Sequence, residues 1–435
     1  MKLKLFALLA TLMPIAVFAE DKLDTGDTAW MMMSTALVLL MTPAGLALFY
    51  AGMTRTKNAL NTYAMVMGAF VLAFTVWIIA GYSIAFGTAS SEGVQQFIGG
   101  FGNVLLSGVK WTDLSGTYPT YVFIAFQGTF AAITVAIAAG SIIGRMKFST
   151  WMVIVALWGL VVYAPITHMV WGGDGALLFD AGALDFAGGT VVHMNGGLAG
   201  LVLAILVGKR NGFPKIAMQP FSIIFTAAGA ALLWFGWYGF NGGSAFGANA
   251  IAGLAVLTTT IATAAAGVTW LMLEWIVYKK PTLLGIASGI IAGLVAITPA
   301  AGFVGVDGAF IIGIVGSIIA FFGVVKLKKI FGYDDSLDAF GIHFLAGLWG
   351  ALATAFFALN DKELLWDGPL KESGDRMGQF MVQLESVAIV GLWTLIGTVV
   401  VYYVASALTG GARVDEETEY NGLDEAVHGE KGMHL

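Results

Sequence analysis

No cysteine occurs among the 435 residues, which removes disulfides, thiolate metal sites and cysteine nucleophiles together. Charge is scarce too. Asp, Glu, Lys and Arg supply 11% of the chain, against roughly 25% in a soluble domain. There is no P-loop, no dinucleotide fingerprint and no cluster of side chains at metal-ligand spacing. An enzyme is therefore not expected, and neither is a bound cofactor or metal. The net charge of −6 says little about partners and gives no reason to expect nucleic acid.

Apolar residues fill the space that charge leaves. They make up 58% of the chain, and the 58 glycines lie inside apolar runs, as in tightly packed membrane helices. The composition predicts an all-α polytopic membrane protein set in a lipid bilayer. Residues 1–19 carry two lysines, an apolar core and a terminal Ala19, which reads as a cleaved secretory signal peptide. The mature amino terminus would then lie outside.

Apolar segments follow near 28–50, 60–87, 118–143, 150–170, 188–207, 220–241, 250–277, 283–299, 306–326, 339–359 and 380–407, eleven expected membrane helices. Alternate loops are basic, with Arg55 and Lys57, Arg145 and Lys147, Lys209, Arg210 and Lys215, Lys279 and Lys280, then Lys326, Lys328 and Lys329. The positive-inside rule makes those loops cytoplasmic, with the amino terminus out and the carboxy terminus in. An odd helix count agrees. Residues 20–407 form the transmembrane domain, and the acidic tail 408–435 is expected to be flexible or ordered by a partner. Its His428 and His434 read as solvated residues.

The chain is organised around residues 185–210, where His193 sits in an otherwise apolar run ending at Lys209 and Arg210. Ionisable groups at membrane depth are costly, so His193 is expected to face protein or a pore. Asp185 stands where an N-cap carboxylate would hold the helix start. His193, Gly197, Leu198 and Gly200 form H-x-x-x-G-L-x-G, and His343, Gly347, Leu348 and Gly350 repeat it. One copy lies on the fifth expected helix and the other on the tenth. A five-helix unit is odd, so its second copy must be inverted. The repeats would be about 28–207 and 220–359, with the eleventh helix peripheral and a substrate path between the halves.

Two buried histidines admit three readings: a polar patch that accepts or relays a proton in a pore, axial ligands of a haem, or a hydrogen-bonded bridge between helices. An aromatic set accompanies them. Phe126 and Phe130 share a face of the third helix at i, i+4; Trp171 ends the fourth; Phe240 and Ser244 end the sixth. Such rings with one hydroxyl can hold a small cation, or form the interfacial belt of any membrane protein.

Asp185-Phe-Ala-Gly-Gly, then His193, Gly196-Gly197, Gly200 and Gly208-Lys-Arg210, resembles the signature of the ammonium transporter (Amt/Rh) family. TPAGLALFYAG (42–52), VFIAFQGTF (122–130), APITHMVWGG (164–173), WFGWYGFNGGSA (234–245), AFGIHFLAGLWG (339–350) and GLDEAVHGE (422–430) resemble it in the same order. The resemblance implies a transporter of the bacterial Amt branch, multi-pass in the inner membrane with a periplasmic amino terminus. It would recruit ammonium outside, deprotonate it and conduct ammonia, with proton-coupled net uptake of nitrogen. A passive ammonia gas channel and an ammonium sensor with little transport are the alternatives.

By the same resemblance, Phe126, Trp171 and Ser244 would form the external recruitment site. Phe130 and Phe240 would be the stacked gate, and His193 and His343 the pore-lining pair. Asp185, Trp237 and Tyr163 would support them. The family implies a homotrimer and a cytoplasmic PII-type regulatory protein as partner. The tail departs from the usual family ending, since HGE continues as Lys-Gly-Met-His-Leu.

Overall fold

The computed structural model describes residues 22–432. The expected signal peptide, 1–19, and His434 lie outside the described residues. Among these residues ten helices are long and apolar enough to cross a membrane, and an eleventh is shorter. They are α1 (Thr25–Met53), α2 (Thr56–Phe86), α3 (Thr120–Ala139), α4 (Phe148–Trp171), α5 (Gly189–Val207), α6 (Ile223–Gly243), α7 (Ala250–Tyr278), α8 (Leu283–Ile297), α9 (Val306–Phe331), α10 (Phe340–Phe357) and α11 (Arg376–Leu408). A two-residue hairpin ladder, Leu114–Ser115 with Tyr118–Pro119, precedes α3.

The short member, α8, was expected to run to residue 299. It stops at Ile297: Thr298 keeps helical backbone but bonds only three residues back, to the Val295 carbonyl at 3.3 Å, and Pro299 has no N–H to continue the ladder. Its 15 residues span about 22 Å at 1.5 Å each, short of a hydrocarbon core of about 30 Å. The turns after it serve the interior instead. Pro299 packs on Gly189, and its carbonyl accepts the N–H of Phe186 at 3.0 Å.

Packing partners recur along the chain. α3 packs on α1, α2 and α5; α8 packs on α6, α7 and α10. α5 and α10 meet at the centre, and α11 lies across both. Glycine makes that meeting possible. A Cβ on Gly197 would stand 2.5 Å from the Phe344 nitrogen, and one on Gly347 would stand 2.9 Å from the Gly189 carbonyl oxygen. The two chains touch backbone to backbone there.

Both central helices start with a wide π turn, Gly189–Met194 in α5 and Phe340–Phe344 in α10. Carboxylates satisfy the free N–H groups at each start. Asp185 accepts from the nitrogens of Gly188 (3.0 Å), Gly189 (2.6 Å), Thr190 (2.9 Å) and Val191 (3.1 Å), and from the Thr190 hydroxyl. Asp335 accepts from the nitrogens of Ala339 (3.2 Å) and Phe340 (2.8 Å). Each carboxylate stands eight residues before its helix's histidine, Asp185 before His193 and Asp335 before His343.

The tail was expected to be flexible or ordered by a partner; its described part is docked on the chain's own helices. Its acids serve as acceptors. Asp424 takes the N–H groups of Leu60 (3.1 Å) and Asn61 (2.8 Å), capping the first turn of α2. Glu419 pairs with Arg413 at 2.7 Å, and His428, rather than being solvated, lies 2.9 Å from the Asn61 amide and edge-on to Phe148. Beside the tail, Arg210 forks onto Asp334 at 2.6 and 2.9 Å, and Arg145 donates to the Asp334 carbonyl and to Ser336.

Two consequences are measurable by thermal unfolding of the detergent-purified protein. Asp185→Ala strands four buried N–H groups and is expected to cost at least about 4 kcal/mol at 1–3 kcal/mol per orphaned group. Asp185→Asn, which keeps one acceptor, should lose less. The second concerns Asp334. Burial pushes its carboxyl up, but the Arg210 guanidinium, joined by Arg145, outweighs this and holds it below its ordinary 3.8. A depressed carboxylate stabilises the fold above the unfolded value, and that stability goes as pH falls through the folded one. Unfolding should become acid-sensitive below about pH 4, and Asp334→Asn should remove that part of the slope while costing about 3–5 kcal/mol at neutral pH.

Candidate functional site

The first turns of α3, the last residue of α4 and the turn after α6 enclose a cavity of about 420 Å³. Phe123, Gln127 and Phe130 come from α3, Trp171 from α4, and Ser244 and Phe246 from the turn; Trp366 and Asp367 approach from the segment before α11. Trp171 is held by its indole N–H, which donates to the Asp185 carbonyl at 2.8 Å. The Ser244 hydroxyl donates to the Phe240 carbonyl at 2.8 Å, so its proton is engaged and its oxygen remains an acceptor. The carboxamide oxygen of Gln127 has no hydrogen-bond partner among the described residues.

Below the cavity the rings close the path. Phe130 and Phe240 stack with centroids 4.1 Å apart and planes at 20°, and both are buried. From there the rings continue inward. Trp171 to Phe130 is 6.3 Å, Phe240 to His193 is 5.7 Å, and His193 to His343 is 5.5 Å. Five rings thus form one line. Trp237 flanks it, stacked on His193 at 5.2 Å and fixed by donating to the Thr298 hydroxyl at 2.9 Å.

The histidines face each other through Nδ1 atoms 3.3 Å apart. One Nδ1 must donate and the other accept, so neutral rings have opposite tautomers. At the far edges one Nε2 then carries hydrogen and the other a lone pair. His193 Nε2 has no partner among the described residues. The Nδ1 spacing leaves no room for an iron and its macrocycle, which removes the haem reading of the pair.

Trp171, Ser244, Phe130, Phe240, His193, His343 and Trp237 therefore come together, and Asp185 supports them from beneath Trp171. Phe126 does not join the cavity wall. It is fully buried behind Phe130, with the Phe246 ring edge-on at 6.3 Å and Gly243 against it. The turn after α6 causes this, because Phe246, at φ +54°, folds back over it. Phe130 faces the cavity in its place. Tyr163 stands apart, buried against Trp77 at 6.2 Å. Two residues escaped the sequence reading: Gln127, inside the FQGTF stretch, and Asp335, which the shared eight-residue spacing to histidine would have revealed.

A family model described as Ammonium Transporter Family matches residues 29–433. An ammonium transporter of Aquifex aeolicus is 46% identical, over 97% of this chain and 96% of its own length. One from Bacillus subtilis is 43% identical, over 94% and 98%. Among solved structures, Saccharomyces cerevisiae Mep2 superposes with a TM-score of 0.82 at 33% identity, covering 91% of this chain and 89% of that one. A protein titled Sensor Amt Protein gives 0.84 at 28% identity, covering 93% and 98%. By sequence over nearly its whole length, and by fold, this chain belongs to the ammonium transporter family.

Proposed function

We propose that this protein recruits ammonium from outside the cell at Trp171, Phe130 and Ser244, takes off a proton, and conducts ammonia past the Phe130–Phe240 pair and along His193 and His343. The observation that carries the reading is the unbroken line of rings, sealed at the phenylalanines and polar only at the histidines. Burying a bare ammonium ion in such a path costs tens of kcal/mol in the Born limit. Ammonium titrates about two units above neutrality, so losing its proton at pH 7 costs only about 3 kcal/mol. Deprotonation wins by a wide margin. Potassium has no proton to lose, so the same seal rejects it.

Each part has a task. Trp171 and Phe130 attract the cation by their ring faces, worth about 1–2 kcal/mol when it is partly desolvated. The Ser244 oxygen accepts one N–H, and the unpartnered Gln127 oxygen offers another acceptor. Opposite tautomers give ammonia both a donor and an acceptor at the histidine pair, and the proton can follow by the same pair. Net uptake would then be proton-coupled. Trp237 holds the His193 ring in plane, and Tyr163 supports the wall from behind Trp77.

The same reading sets the membrane arrangement. We take the short α8 as an eleventh span, α1–α5 and α6–α10 as inverted repeats, and α11 as the peripheral helix. The recurrent packing partners and the paired Asp–His spacing support the repeats. The vestibule then faces the periplasm and the docked tail the cytoplasm of a bacterial inner membrane, with the chain as one subunit of a homotrimer. The ordered tail offers a face to a PII-type regulator. A sensor with little transport is the second reading, favoured by the likeness to the Sensor Amt Protein.

An ammonium pulse on protein-containing planar membranes should evoke a saturable current, and a potassium pulse none. Alkalinisation of liposomes without current would mean an ammonia channel, and no response in either assay would favour the sensor. Trp171→Ala is expected to raise the half-saturating ammonium concentration about five- to thirtyfold, the loss of 1–2 kcal/mol. In His193→Asp the ratio of charge moved to ammonia delivered should change; an unchanged ratio would sink the histidine relay.

A further inference from the structure

We propose that the vestibule also binds organic ammonium ions that have no removable proton, such as tetramethylammonium, and that these block the pore from outside without crossing. The inference rests on the ammonium reading above and extends it to a second class of ligand at the same mouth.

Size is the first argument. An ammonium ion needs little more than one water's share of volume, about 30 Å³. The cavity holds about 420 Å³, within the range of roughly 300–1,000 Å³ typical of small organic ligands. An ammonium ion there keeps part of its water, and the cavity also has room for a methylated ion of five heavy atoms.

Lining is the second. Eight of the thirteen lining residues are aromatic. Trp366 comes from a different element than Trp171, so the rings close around the cavity rather than forming one wall. Phe246 reaches it only through a backbone at φ +54°, unusual for a residue with a side chain, and its ring lies 5.8 Å from Phe123. Backbone held in this region clusters at ligand sites.

Charge is the third. The lone lysine in the lining, Lys371, is tied to Asp367 at 2.8 Å, so it does not repel a cation. The neighbouring 172–188 segment carries no basic residue. A neutral cage of ring faces selects for a weakly hydrated cation with an apolar surface, as in quaternary ammonium recognition generally. The stacked Phe130–Phe240 pair leaves no opening for such an ion. Having no N–H, it cannot take the neutral route.

The test uses the full protein in planar membranes. Ammonium currents are recorded at rising tetramethylammonium, with sodium chloride keeping ionic strength constant. Half-saturating ammonium should rise in proportion to tetramethylammonium, the maximal current should stay the same, and tetramethylammonium alone should evoke none. Trp366→Ala should weaken the block about two- to fivefold more than it weakens ammonium, and Trp366→Phe should retain most of it. Unaltered ammonium currents at high tetramethylammonium would overturn the inference while leaving the ammonium reading intact. So would a fall in maximal current alone, or a current carried by tetramethylammonium itself. Absence of any ammonium current would instead defeat the ammonium reading.

Discussion

The backbone crossing of α5 and α10 is the constraint on which the rest depends. Histidine rings reach only a few ångströms from their backbones, and His193 and His343 share a hydrogen bond because no side chain stands between their helices at Gly197 and Gly347. That closeness brings helix starts into the interior, where water cannot satisfy them. Asp185 and Asp335 answer the need, and Asp185 in turn fixes Trp171 through its carbonyl. Crossing, caps and vestibule are thus one connected arrangement.

Chemistry at such a site is governed by what desolvation permits. On the proposed reading the phenylalanine pair would exclude water and therefore charge, while the histidine pair beneath would supply a polar surface that needs no net charge to function. A hydrogen bond between two neutral imidazoles is self-sufficient in an apolar wall. The mouth works oppositely, with space, ring faces and acceptor oxygens suited to a cation that is still partly wet.

Most of this was legible in the sequence where one pattern sets the outcome. Apolar length placed the helices within a few residues, and a histidine in an apolar run announced the interior. Helical spacing put Phe126 and Phe130 on one face but could not say which ring meets the cavity. That depends on Phe246 and a backbone turn with positive φ, which no periodicity encodes. The tail failed for a different reason. An acidic, Gly-containing stretch reads as solvated until one knows that its carboxylates sit on another helix's free N–H groups. Length misled at α8, where an apolar run continues past Pro299 though the helix does not.

The cap on α2 has a bearing on how the chain is made. Asp424 and the Leu60 nitrogen it accepts from are 364 residues apart. At 5–20 residues per second, roughly 20–70 s of synthesis separate them. Throughout that interval the second helix must rely on water or lipid headgroups at its start. The carboxylate that completes the start of this helix is thus made long after the helix itself.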